Sequence, residues 1–194
     1  MYKISYLQYY IVIILLSVFI TSCRENTTPK PRGYFRIDLP EKEYQKFTSD
    51  CPYSFDYPIY ATIVADADKN TEPCWINMDF NKIGGRLHIS YKNINNNLGQ
   101  ILEDSRKLAY KHSIKADAIH EQVFIQPERN IYGILYEIDG NAASSIQFYV
   151  TDSINHYVRG ALYFNVEPNK DSLAPVIRFI KDDIIVMIES FEWK

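Results

Sequence analysis

The sequence predicts an α+β domain, a mostly antiparallel β-sheet flanked by two long helices. Three observations predict it. Short runs alternate apolar and polar residues with a period of two, the mark of half-buried strands. Two turn signals, Gly84-Gly85 and Asp139-Gly140-Asn141, join such runs as hairpins. Two longer stretches, residues 98–119 and the segment from Asp171 towards the C-terminus, change to helical spacing. Strands in runs, with helices set apart from them, are the element order of an α+β fold.

A separate segment precedes the domain. After a start with one lysine, Lys3, residues 11–20 (IVIILLSVFI) are almost pure hydrocarbon, too short a run for the roughly 20 apolar residues of a spanning helix. A charged start, a brief apolar core and small residues before a cut site make a secretory signal peptide. The cut site is specific, because Ile20-Thr21-Ser22-Cys23 resembles the lipobox of bacterial lipoproteins. In that motif the peptidase cleaves before a cysteine whose thiol already carries diacylglycerol. The other reading is an uncleaved anchor with a chance cysteine. Against it, the run stops at Cys23 with no basic stop-transfer cluster behind it. Residues 1–22 are thus read as signal peptide, 23–33 as lipidated cysteine and polar linker, and 34–194 as a single domain. Each buried CH₂ contributes about 0.8 kcal/mol, so two or three acyl chains on Cys23 hold a protein on a membrane almost permanently. Arg24 and Glu25 follow without a dense acidic run, which leans towards a periplasm-facing protein, with the outer membrane favoured over the inner.

The linker carries Pro29 and Pro31 and has no means of packing. From Tyr34 the pattern alternates, with Phe35, Ile37 and Leu39 on one face and Tyr34 and Arg36 on the other, until Pro40 ends the expected first strand. Arg32, Tyr34 and Arg36 have two readings. One is an edge strand whose charges deter aggregation. The other is a docking edge whose arginines pair with a partner's carboxylates. Further strands are expected over 53–57, 60–65, 75–80 and 86–92, then a polar loop over 93–97. In the first helix Leu98, Ile101, Leu102, Leu108 and Ala109 share a face. Strands resume over 121–126, 131–138, 145–151 and 157–165. The closing helix takes Asp171 or Ser172 as its cap and Pro175 in its first turn. Its residues Val176, Ile180, Ile184, Met187 and Ile188 keep the apolar rhythm, so each helix should lie against a sheet. Four strands, a helix, four strands and a helix, opened by YSFDYP, form an order similar to the PsbP-like fold, a sheet sandwiched by helices.

The chain is 46% hydrophobic and carries 16 tyrosines, which argues for a folded domain. The net charge is −3, and loss of Lys3 with the signal leaves 20 basic against 24 acidic residues, net −4. That balance excludes the basic footprint of a nucleic-acid binder. Cys51 and Cys74 each precede a strand-like run in an oxidising compartment. A bridge between them is favoured, and it would close a loop of about 24 residues, worth roughly 3 kcal/mol in the chain-entropy model. A metal pair or free thiols remain the alternatives, although two isolated cysteines with no CxxC or nearby histidines make a poor zinc site.

No catalytic constellation is legible: there is no GxSxG elbow, no HExxH and no P-loop. His88, His112, His120 and His156 are scattered over different elements, and the side chains of His120 and Glu121 point to opposite faces of a strand. Asp66, Asp68, Asn70 and Glu72 have the alternation of a calcium loop but lack its glycine and its late bidentate glutamate, so a solvated loop is the better reading. No metal and no cofactor is expected beyond the acyl lipid on Cys23.

The segment PKPRGYFRIDLPEKEY, residues 29–44, lies just after the lipobox cysteine and resembles the gliding-motility lipoprotein GldD family of Bacteroidota. The likeness extends to CPYSFDYP, to Cys74-Trp75 and to the closing ESFEW, and PRGYFRI is its most specific part. The resemblance implies a non-catalytic envelope protein required for gliding and for the coupled type IX secretion system. It implies an assembly or stabilising role beside other gliding and secretion envelope proteins, themselves lipoproteins. A ligand-binding lipoprotein that holds a small apolar or glycan ligand between sheet and helix is the alternative. A hydrolase ranks last, since no nucleophile and base can be paired.

Overall fold

The computed structural model describes residues 9, 10, 13, 37–111 and 115–194. The chain divides into two compact units, Met1–Tyr34 and Phe35–Lys194. Of the first unit only Tyr9, Tyr10 and Ile13 are described; they are helical and exposed. All that follows concerns the second unit.

Its strands are β1 (Tyr44–Phe47), β2 (Tyr53–Pro58), β3 (Thr62–Ala65), β4 (Ile76–Phe80), β5 (Gly85–Asn93), β6 (Ala116–Gln126), β7 (Ile131–Gly140), β8 (Ser144–Thr151), β9 (His156–Phe164) and β10 (Glu192–Trp193). Helix α1 (Leu98–Tyr110) connects β5 to β6, and helix α2 (Lys170–Glu189) follows β9. Seven strands form one sheet in the order β3-β4-β5-β9-β8-β7-β6, with every neighbouring pair antiparallel. Strands β1, β2 and β10 form a small second sheet. The predicted succession of four strands, helix, four strands and helix is β2–β5, α1, β6–β9 and α2. The observed fold is the α+β class expected, an antiparallel sheet with two helices.

The meander β6–β9 folds back so that β9 inserts beside β5, and α1 carries the chain across to the far edge. Alternation then sorts the side chains. On one face Met78, Leu87, Ile89, Leu135, Phe148, Val150, Val158 and Leu162 meet Tyr53 and Phe55 of β2 and Val176, Ile180, Ile184, Met187 and Ile188 of α2, in one continuous core. Gly160 lies directly opposite Phe148, and a Cβ at that position would overlap the phenyl ring. The other face carries Tyr136, Gln147, Thr151, Tyr157, Arg159 and Ala161. Helix α1 covers part of it: Ser105 is hydrogen-bonded to the Tyr157 hydroxyl, and Tyr110 sits edge-on to Tyr136 at 6.4 Å.

The Gly84-Gly85 turn forms as expected, with Gly84 at φ +71 and both Ile83 and Gly84 N–H groups on the Phe80 carbonyl. Five expectations are corrected. Residues 37–40 belong to no strand and Ile37 is 40% exposed, so this stretch is no core strand. The first strand among the described residues is β1 instead, on the edge of the small sheet; residues 34–36 of the expected strand lie outside the described residues. The first helix ends at Tyr110, because 116–119 is drawn into β6 by pairing with β7 (Ala118 with Asp139, Ile119 with Ile138). Within α1 the buried positions are Ser105 and Ala109, while Leu108, one residue off that stripe, is 45% exposed. Asn169, not Asp171 or Ser172, caps α2, accepting the Ser172 N–H at 3.2 Å. Asparagine satisfies an orphan N–H of the first turn from just outside the helix. The earlier start puts Pro175 in the second turn, at the cost of one backbone hydrogen bond.

Candidate functional site

Cys23, the lipidation position, and Arg32, Tyr34 and Arg36, the candidate docking residues, lie outside the described residues, as does His112. Cys51 and Cys74 are brought together as a disulfide with Cα atoms 5.5 Å apart, tying the start of β2 to the start of β4. Around it, the Tyr53 hydroxyl donates to the Cys74 carbonyl at 2.7 Å, and Trp75 Nε1 donates to the Tyr91 carbonyl at 2.8 Å. Cys74 itself adopts φ +67, a left-handed conformation unusual for a residue with a side chain.

The structure keeps the other candidates apart. His88 is edge-on to Tyr163 at 5.6 Å, and burial, then Arg86, hold its pKa below the ordinary histidine value. His120 faces Asp139 at 3.2 Å, while Glu121, on the opposite face, accepts from the Tyr110 hydroxyl. His156 stacks on Trp193 at 5.3 Å and shares a hydrogen bond with the Tyr91 hydroxyl at 2.8 Å. In the acidic loop Asp66 accepts from Asn77, which lowers its pKa, the Asp68 carbonyl accepts from the Thr71 N–H, and Glu72 pairs with Lys92 at 3.5 Å. No group of three His, Cys, Asp or Glu among the described residues is placed to hold a metal. Nor does any helix among them have the length and apolarity to cross a membrane.

A polar centre that the sequence reading missed sits where the N-terminal segment enters the domain. Asp183 of α2 is a buried carboxylate, its side chain 1% exposed. It accepts from the Tyr44 hydroxyl of β1 at 2.8 Å and from the Tyr60 hydroxyl, and Lys42 Nζ lies 3.3 Å away. Lys42 also donates to the Phe179 carbonyl at 3.0 Å, pairs with Asp182 at 3.2 Å and lies over the Phe179 ring. Burial, then the hydrogen bond to Asp183, push the pKa of both tyrosines well above the ordinary phenol value. The signal was present: Asp183 falls on the apolar stripe between Ile180 and Met187, where a solvated acid has no place.

The second feature is an apolar row beyond the footprint of α1. Val123 and Ile125 of β6, one edge of the large sheet, are 60% and 64% exposed. Register places them beside Ile134 and Tyr132 of β7, and Ile134 beside Tyr149 of β8, all half-buried on one face. An edge strand has unpaired backbone groups, and an apolar row beside it is a surface on which other proteins pack.

The geometry therefore defines an α+β domain with a disulfide, a fastened N-terminal entry and an open apolar sheet edge. The family model for the gliding motility lipoprotein GldD matches residues 24–193, and the chain belongs to that family. No curated protein matches the sequence. Among solved structures, the solution structure of cyanobacterial PsbP (CyanoP) from Synechocystis sp. PCC 6803 is similar at TM-score 0.47 and 12% identity, over 82% of this chain and 98% of that one.

Proposed function

We propose that the protein is a non-catalytic, lipid-anchored component of the gliding motility and type IX secretion machinery, in which it assembles or stabilises other envelope proteins. The observation that carries this reading is the family match, which begins at residue 24, directly after the lipobox cysteine, and takes in the whole folded domain. Acyl chains on Cys23 hold the protein to the membrane, residues 24–33 form the spacer, and the domain faces the periplasm. The exposed row of Val123 and Ile125 on the edge strand β6 is the surface we assign to the partner protein. The Arg32, Tyr34 and Arg36 stretch is a second contact candidate.

Deletion of the gene is expected to abolish spreading and secretion of type IX cargo, with Cys23→Ala failing to complement. A Val123→Glu/Ile125→Glu variant should fold and localise normally yet complement poorly. Normal secretion in the deletion strain would sink the reading.

A further inference from the structure

Several basic residues of this domain are held in ion pairs. Lys42, Lys46, Arg86, Lys92, Lys107, Lys170 and Lys181 each have a carboxylate within ion-pair distance. Arg129 donates to the carbonyls of Glu189 and Phe191. Lys111, Lys115 and Arg159 are not among them, and they lie together. None of the three has a carboxylate partner among the described residues, and all line one cavity of about 450 Å³ between the end of α1 and the sheet. Its remaining lining among the described residues includes Leu108, Asn141 and Tyr163, and no acidic residue. In a chain of net charge −3, three cations gathered around one cavity repel one another, and an anion that joins them relieves that repulsion.

The central cation is held in a way that preserves its charge. Arg159 donates through one guanidinium nitrogen to the side-chain carbonyl of Gln147, which is 2% exposed. A neutral amide orients the guanidinium without cancelling it, and its other N–H groups stay available for two-pronged contact with a carboxylate or phosphate. Tyr163 supplies a ring that is 36% exposed and steadied edge-on by His88. Asn141, whose side-chain oxygen accepts the Lys170 N–H, offers its amide N–H groups to hydroxyls. The volume lies within the range of small-ligand sites, roughly 300–1,000 Å³. A contiguous cavity shares Lys115 and Asn141 and adds Glu167, an acceptor for a further hydroxyl.

We propose that this cavity binds an anionic sugar of one or two rings, its phosphate or carboxylate on Arg159, Lys111 and Lys115 and a ring face on Tyr163. The source is either a free saccharide or the headgroup of a glycolipid. The chemistry is the same for both. The site is separate from the apolar row on β6, so its occupancy can fail while the docking role stands, and the reverse.

The test uses the full-length protein in detergent micelles and calorimetric titration. N-acetylglucosamine 1-phosphate and glucuronate are the soluble probes, neutral N-acetylglucosamine and inorganic phosphate the controls, and a phosphorylated disaccharide glycolipid in mixed micelles the lipid arm. At least one anionic sugar should bind about tenfold or more tightly than either control, the worth of one good charge-assisted contact. Arg159→Gln should lose about tenfold or more, while Lys107→Gln, in an ion pair elsewhere on α1, should lose nothing. Because Arg159 is half-buried, Lys111→Gln/Lys115→Gln is run beside it, each variant with its melting temperature. Equal binding of soluble and lipid-borne sugar marks a saccharide site, and binding of the glycolipid alone marks a headgroup site. No binding up to about 10 mM, binding no tighter than the controls, or full binding by folded Arg159→Gln and Lys111→Gln/Lys115→Gln would each overturn the proposal.

Discussion

Substituting Asp183 with asparagine tests whether the buried carboxylate fastens the N-terminal entry to α2. The change keeps the side chain's size but leaves one acceptor oxygen where two stood, and it removes the charge. Two phenols converge on that carboxylate. Hydrogen bonds to a charged group contribute about 1.5–3 kcal/mol and neutral ones about 0.5–1.5 kcal/mol, so the phenols should each lose part of that difference. Lys42 is not stranded, since Asp182 and the Phe179 carbonyl still hold it. The expected loss for Asp183→Asn is thus ~1–3 kcal/mol, and Asp183→Ala, which removes both acceptors, should cost ~3–5 kcal/mol. Urea unfolding followed by fluorescence of Trp75 and Trp193 measures both. Tyr44→Phe should cost about 1 kcal/mol less in the Asp183→Asn background than in the wild type, because part of its partner is already gone. Equal costs in the two backgrounds, or an asparagine variant as stable as the wild type, would refute the account.

Three further outcomes are expected. Replacing both Cys51 and Cys74 with serine should lower stability by ~3 kcal/mol for a loop of this length, and reductant should then have no further effect on urea unfolding. Gly160→Ala should destabilise by ~1–3 kcal/mol through overlap with Phe148, and Phe148→Leu should relieve part of that loss in the double variant, as read by thermal melting. The third concerns alkaline pH. Tyr44, Tyr53, Tyr60 and Tyr157 have folded-state pKa values raised first by burial, and Tyr136 is pushed up to about 12 by the same cause. A raised pKa in the folded state contributes stability that is complete below the unfolded value, about 10, and is lost as pH rises above it. Urea midpoints should therefore hold steady from neutral pH to about 10 and then fall, with phenolate absorbance appearing as the protein unfolds.

Much of the sheet was legible because alternation and turn chemistry are local. β2, β4, β5 and β7–β9 sit where the period of two placed them, and Gly84 supplies the positive φ its turn requires. The misreadings share a cause. Ala116, Ala118 and Ile119 suit a helix by propensity, and only pairing with β7 makes them a strand. Ile37 and Leu39 alternate, yet no partner strand reaches them. The sites were less legible still. Lys111, Lys115 and Arg159 come from the end of α1, the entry to β6 and the middle of β9, and only the crossover of α1 gathers them at one cavity. Asp183 was readable in principle, as one charge inside an apolar stripe.

The fastening at Asp183 has a mechanical meaning. A pull travelling along the backbone from the N-terminal side reaches Lys42 and Tyr44 before the rest of β1. Both are pinned to the middle of the 20-residue helix α2, while Lys46 is pinned to Glu192 near the other end of the chain. Tension entering the domain is shared at once between a helix packed into the core and the closing strand, so β1 is not peeled from β2 rung by rung. The entry is built as a strain relief: were the chain pulled from its N-terminal side, the domain would keep its shape under load.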